Sequence, residues 1–238
     1  MRIKIFFRAC LLLALLPCFN CCHDEDTETI KAPITAEADV NLADEDGDTP
    51  LFLAAYKGDT EIVKALIAAG ANVNQVDKDG WTPLFMAAHK GHTETVKALI
   101  AAGANVNLAN VDGDTPLLLA ADKGDTESVK ALIAAGANVN LANEYGYTPL
   151  LYAAYSGHTE TVKALIAAGA NVNLANEYGY TPLLYAAYRC HTETVKALIA
   201  AGANVNLANV DGDTPLQVAS NGGLTKIVEL LKAAGAKK

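Results

Sequence analysis

"DGDTPLFLAAYKGDTEIVKALIAAGANVNQVDK", Asp46–Lys78, is one period of a pattern that fills most of this 238-residue chain. Its Thr-Pro-Leu core returns at Thr49, Thr82, Thr115, Thr148, Thr181 and Thr214, 33 residues apart every time. A fixed period of this length marks a stack of repeated supersecondary units rather than a domain folded around one central core. The units run 46–78, 79–111, 112–144, 145–177 and 178–210, with a shortened sixth at 211–238.

Each unit reads as helix, turn, helix. Asp46-Gly47 supplies a tight turn, the glycine giving the positive φ. Thr49 is placed to cap a helix whose first turn suits Pro50. Leu51, Ala54 and Ala55 fall on one face of that helix, and Gly58 stops it. Asp59 stands where it can cap the next helix, with Glu61 in the first turn, where the dipole favours an anion. Ile62, Val63, Leu66 and Ile67 make its apolar stripe, Gly70 ends it, and "ANVN" leads out to the next turn. The composition agrees. The chain is 51% hydrophobic but only 6% aromatic, with much alanine, which suits closely packed helices better than a β-sandwich.

One such helix pair cannot bury its apolar stripe alone, whereas a stack makes a continuous core stabilised at neighbour interfaces. The set G-x-T-P-L-x-x-A-A, G-H-x-E and G-A-x-V-N at this period resembles the ankyrin repeat. The resemblance covers residues 46–238, and "EADVN", Glu37–Asn41, looks like the tail of an earlier unit. It implies an all-α ankyrin-repeat solenoid of stacked helix-turn-helix units with β-turn or hairpin tips. One departure stands out. The position after Thr-Pro-Leu, usually histidine in the family, holds Phe52, Phe85, Leu118, Leu151, Leu184 and Gln217. The stack therefore leans on apolar contact more than on polar networking. No polar N-terminal capping pair is evident, so the first unit frays unless residues 34–45 cover it. Lys226, Lys232, Lys237 and Lys238 suit an exposed C-terminal cap.

The net charge of -9 argues against a general nucleic-acid binder, which needs a basic stripe. The first 22 residues carry Arg2, Lys4 and Arg8 and no acid, followed by an apolar run from Ala9 to Phe19. That run is about half of what crosses a bilayer, so it reads as a secretory signal peptide. Cys18, Cys21 and Cys22 follow, resembling a bacterial lipoprotein signal with Cys21 as the lipidated residue; an ordinary cleaved signal peptide with incidental cysteines is the alternative. Residues 1–21 are thus expected to be the signal. Residues 22–45, with eight acids from Asp24 to Glu45 against Lys31 alone, are expected to be an acidic flexible spacer. The chain is expected to cross the inner membrane and sit lipid-anchored in a bacterial cell envelope, on its periplasmic or surface side, touching the membrane only through that anchor.

"AAYRCHTET", Ala186–Thr194, sets a thiol beside an imidazole. The repeat register supplies the comparison. Cys190 fills the slot of Gly58, Gly91, Gly124, Gly157 and Gly223, and His191 fills that of His92 and His158. A thiol at a helix C-terminus meets the negative end of the dipole, which opposes thiolate formation. His158 and His191 lie in neighbouring units about 8–10 Å apart, too far to share one zinc ion at about 2 Å. No enzyme activity, metal or cofactor is expected.

Function then rests where units differ. The resemblance implies that turn tips and the exposed face of the first helices bind a protein partner. Those slots hold Trp81 in unit two, Tyr145, Tyr147 and Tyr155 in unit four, and Tyr178, Tyr180, Tyr188 and Arg189 in unit five. Tyrosine, tryptophan and arginine dominate binding hot spots. These eight residues are the expected contact surface of a monomer, with acidic tips on units one, three and six. Tyr152 and Tyr185, one step off the slots, are expected to pack. Units four and five differ only at Ser156/Arg189, Gly157/Cys190 and Glu177/Val210, so inheritance from a duplication is the competing account of the second tyrosine set. A different class of role is an accessory or protective subunit for a cell-envelope enzyme or transporter, or a surface-displayed host-interaction protein.

Overall fold

A computed structural model describes residues 39–237. The signal, Cys21 and most of the acidic spacer lie outside them. Twelve helices and no strand occur among the described residues, in pairs. They are α1 (Pro50–Lys57) and α2 (Thr60–Ala68), α3 (Pro83–Lys90) and α4 (Thr93–Ala101), α5 (Pro116–Lys123) and α6 (Thr126–Ala134). Then follow α7 (Pro149–Ser156) and α8 (Thr159–Ala167), α9 (Pro182–Tyr188) and α10 (Thr192–Ala200), α11 (Pro215–Asn221) and α12 (Thr225–Ala233). Odd-numbered helices stack on one another as one row and even-numbered helices as a second, each pair packing together within its unit. The fold is the expected all-α solenoid.

The first helix of each unit starts as the sequence dictates. Each threonine hydroxyl accepts the N–H three residues on, at 3.1–3.3 Å, and proline follows at the first helical position. In α11 Gln217 closes a full capping box by accepting from the Thr214 N–H at 2.8 Å. Glycine with φ near +75° ends α1, α3, α5 and α7.

The second helices differ from expectation. Asp59 does not cap α2 with its side chain, and His92, His158 and His191 do not cap theirs. An inverse γ-turn joins the helices with or without a cap: Thr60 N–H donates to Gly58 O at 2.8 Å across Asp59 (φ -75°, ψ 75°), and Thr126 N–H to Gly124 O at 2.9 Å across Asp125 (φ -74°, ψ 81°). Asp125 alone in this slot accepts a cap bond, from Ser128 N–H at 3.1 Å.

The core runs unbroken along the stack. Leu51, Leu84, Leu117, Leu150 and Leu183 from the first row meet Val63, Val96, Val129, Val162 and Val195 from the second, all essentially closed to solvent, with the Ala-Ala pairs between them. Small alanines let the rows approach closely, as close packing requires.

Outside the core, backbone and asparagine bonds tie each unit to the next. Asn72 N–H donates to Asn41 Oδ1 at 2.7 Å, Asn105 N–H to Asn74 Oδ1 at 2.7 Å, and the series continues to Lys237 N–H on Asn206 Oδ1 at 2.8 Å. The second asparagine of each "NVN" is therefore the bridging residue. Val40 packs on the core and Asn41 begins this ladder, so residues 39–45 cover the open end of unit one.

Candidate partner-binding surface

Each turn tip is a closed hairpin built by one side chain. Asp77 Oδ1 accepts from the N–H groups of Asp79 (3.0 Å) and Trp81 (2.8 Å), while Asp77 N–H donates to Trp81 O at 3.1 Å. Asn143 does the same for Tyr145 and Tyr147, and Asn176 for Tyr178 and Tyr180. Neighbouring tips are joined by their backbones. Glu177 N–H donates to Tyr145 O at 3.3 Å and Val210 N–H to Tyr178 O at 3.0 Å. The tip side chains therefore project from a fixed row.

Along this row the tyrosines separate into two sets. Tyr145, Tyr155, Tyr178 and Tyr188 are exposed by 50%, 36%, 52% and 56%. Tyr147 and Tyr180 are half-buried, and their rings pack. Tyr185, 8% exposed, is the hub. It stacks on Tyr180 at 4.6 Å between ring centroids and on Tyr147 at 6.1 Å, and meets the Tyr155 ring edge-on at 5.3 Å. Its hydroxyl shares a 2.8 Å hydrogen bond with Tyr147 and accepts from Asn176 Nδ2 at 3.0 Å. Burial, then the Tyr147 hydroxyl, pushes the Tyr185 phenol well above its ordinary range. Tyr152, half-buried against Tyr147 at 5.0 Å, is pushed up to about 12 by burial and by the carboxylates of Asp114 and Asp122. Both are neutral hydrogen-bonding groups at any physiological pH.

Arg189 lies over the Tyr155 ring with its guanidinium carbon 4.6 Å from the centroid, a cation–π contact that links units four and five. Lys90 does the same over Tyr56 in units one and two, at 4.5 Å. Trp81 belongs to a separate aromatic group, 5.1 Å from the Phe85 ring and 6.1 Å from the His89 ring. Burial, followed by the nearby Lys90 charge, lowers the His89 pKa. Of the eight expected contact residues, Tyr147, Tyr155, Tyr180 and Arg189 join one cluster around Tyr185; Tyr145, Tyr178 and Tyr188 stand exposed on the same two units; and Trp81 lies two units away. The sequence reading placed Tyr185 in the packed set but missed that it gathers Tyr147, Tyr155 and Tyr180 around it; coincidence of tyrosines at two slots in consecutive units was the available signal.

A family model described as ankyrin repeats (3 copies) matches residues 18–110, 102–176 and 166–238. The chain belongs to the ankyrin-repeat family. A solved ankyrin repeat domain from Acinetobacter baumannii AYE is 39% identical, with a TM-score of 0.74 over 79% of this chain and 98% of that one. A search of curated proteins finds no significant match. Ankyrin repeats are in general protein–protein interaction modules, and their family and fold are typically non-enzymatic.

In this ankyrin stack Cys190 is free and exposed, and it is the only non-glycine residue with positive φ (65°) among the described residues. Cys190 N–H donates to Ala187 O at 3.1 Å and His191 N–H to Ala186 O at 2.8 Å, so the glycine-type helix end persists with cysteine in it. His191 turns the other way, its Nε2 3.0 Å from Tyr155 O in the preceding unit. The pair is therefore split between two structural tasks. Among the described residues no group of three or more His, Cys, Asp or Glu side chains is placed to hold a metal, and no helix is long and apolar enough to cross a membrane.

Proposed function

We propose that this ankyrin-repeat protein is a non-catalytic scaffold that binds a protein partner through the tips and first-row helices of units four and five. The observation that carries the reading is the set of four exposed tyrosines on two adjacent units, Tyr145 and Tyr178 at the fixed tips and Tyr155 and Tyr188 on the first-row helices, with Tyr155 braced by buried Tyr185. Rigid aromatic area with a polar tip costs little entropy on binding, which is why such rings make hot spots. Tyr155 gains more, because its ring is already ordered against Tyr185 before the partner arrives. The reading includes a monomer that is exported, lipidated at Cys21 and held in the cell envelope.

The test replaces Tyr145, Tyr155, Tyr178 and Tyr188 by alanine and leaves Tyr147, Tyr180 and Tyr185 in place, so that the brace and the fold survive. Partner capture from envelope fractions is expected to be lost while circular dichroism and melting are retained. Capture that persists with all four rings removed sinks the tyrosine surface. Metabolic labelling with an alkyne fatty acid checks the anchor: label on wild type that disappears in Cys21→Ala supports it, and an unlabelled wild type removes it.

A further inference from the structure

At the other end of the stack, units one and two form an open groove of about 500 Å³. That lies within the roughly 300–1,000 Å³ typical of ligand sites. Its floor is apolar, from the nearly closed Phe52 and Met86. One wall is Trp81, whose ring is fixed against Phe85. The mouth is acidic: Asp46, Asp48 and Asp79 line it. Asp77 also lines it, but its Oδ1 is committed to the tip N–H groups, and Lys78 is the one cation in the lining.

We infer that this groove receives an arginine side chain from a basic segment of a bound protein, between the Trp81 ring and the carboxylates of Asp46, Asp48 and Asp79. Charge complementarity selects a cation. Shape selects arginine over lysine, because a planar and weakly hydrated guanidinium lies flat on an indole and pairs with carboxylates through a fork of N–H donors. The site already feels its own crowding: burial, then Asp44, Asp77 and Asp46, pushes the Asp48 carboxyl up to about 6. A guanidinium in the groove relieves that repulsion. The inference rests on the reading above that the chain binds a protein and adds a second contact region on units one and two; none of the residues it uses is among the tyrosines.

Trp81 is the only tryptophan in the chain, so its emission reports on this groove alone. The full-length chain is titrated with the peptide acetyl-Gly-Arg-Gly-Arg-Gly-amide and with the same peptide carrying citrulline, a neutral isostere, in place of arginine. The arginine peptide is expected to shift Trp81 emission saturably, more weakly as salt rises, and the citrulline peptide is expected to leave it unchanged. Asp48→Asn with Asp79→Asn is expected to weaken the arginine peptide about tenfold. The four-tyrosine variant is expected to bind it like wild type. An emission that does not respond, a citrulline peptide that binds equally, or an Asp48/Asp79 variant that binds unchanged overturns the inference. Partner capture lost with the tyrosines while peptide binding fails, or the reverse, shows which of the two readings is wrong.

Discussion

The reciprocal exchange of cysteine and glycine between units four and five is a sharp test of how this stack is built. The units are near copies, with Cys190 where unit four has Gly157. Both residues sit in the left-handed region, at φ 65° and 75°. Holding a side chain there costs on the order of 1–2 kcal/mol, partly offset because glycine raises the entropy of the unfolded chain by about 0.4–1 kcal/mol. Cys190→Gly is therefore expected to stabilise by about 0.5–1 kcal/mol, or roughly 1–4 °C in melting temperature for a domain of this size.

Gly157→Cys is not the mirror image of that gain. A Cβ built on Gly157 lies 2.5 Å from the His191 ring, so the ring must move. Moving it breaks the 3.0 Å contact of His191 Nε2 with Tyr155 O, worth about 0.5–1.5 kcal/mol. The cost is then about 1–2.5 kcal/mol, larger than the gain at 190. Gly91→Cys is the control, because a Cβ there meets nothing within 4 Å. It should cost only the backbone strain. Urea unfolding with reductant present, read as midpoint and slope together because repeat stacks depart from two-state behaviour, gives the three numbers. Equal losses at Gly157 and Gly91, or a Cys190→Gly variant no more stable than wild type, would refute the reasoning.

Three further outcomes follow from the same geometry. The raised Asp48 pKa of about 6 against an ordinary 3.8 means that the unfolded chain ionises first; this group's contribution to stability is full below about pH 4 and is lost as pH rises through 6. Asp48→Asn is therefore expected to stabilise at pH 7, by no more than about 1 kcal/mol for so open a site, and to leave stability at pH 4 unchanged; melts at the two pH values check it. Val218→Tyr is expected to raise the melting temperature through a bond worth about 1 kcal/mol, because the buried Asn209 Nδ2 has no partner, whereas Asn176 Nδ2 has the Tyr185 hydroxyl at the same offset. Tyr185→Phe keeps the ring stack but orphans Asn176 Nδ2, and is expected to cost about 1–3 kcal/mol in urea titration.

What could be read from the residues was what local chemistry decides. Thr-Pro at the start of each first helix leaves the backbone one choice, and the structure takes it at every Thr-Pro-Leu; the left-handed residue after the helix is glycine in every unit but the fifth, where Cys190 takes the same conformation. Asp59 failed as a cap although Asp125, with the same γ-turn, succeeds; what differs is the residue three positions on, where the Ser128 hydroxyl donates to the Asp125 carboxylate and Ile62 has nothing to offer Asp59. The tyrosine surface was legible as a coincidence of slots. Its division into exposed rings and packed rings was not, because it depends on what the adjacent unit offers.

Tyr152 and Tyr185 make that dependence plain. They occupy the same slot, yet Tyr185 is buried and Tyr152 only half so. Behind Tyr185 stand the rings of Tyr147 and Tyr155 in unit four, whereas Tyr152 faces the carboxylates of Asp114 and Asp122 in unit three. The cysteine slot obeys the same rule. Gly58, Gly124 and Gly157 are each covered by a histidine of the next unit; after Gly91 and Cys190 the covering positions hold Asp125 and Leu224, and at Gly91 the space is open. A substitution that one unit forbids is mild in its neighbour. In a stack of this kind the meaning of a residue is set by its own slot together with the slot 33 or 34 positions away: aspartate stands against tryptophan at the first interface, tyrosine against tyrosine at the fourth.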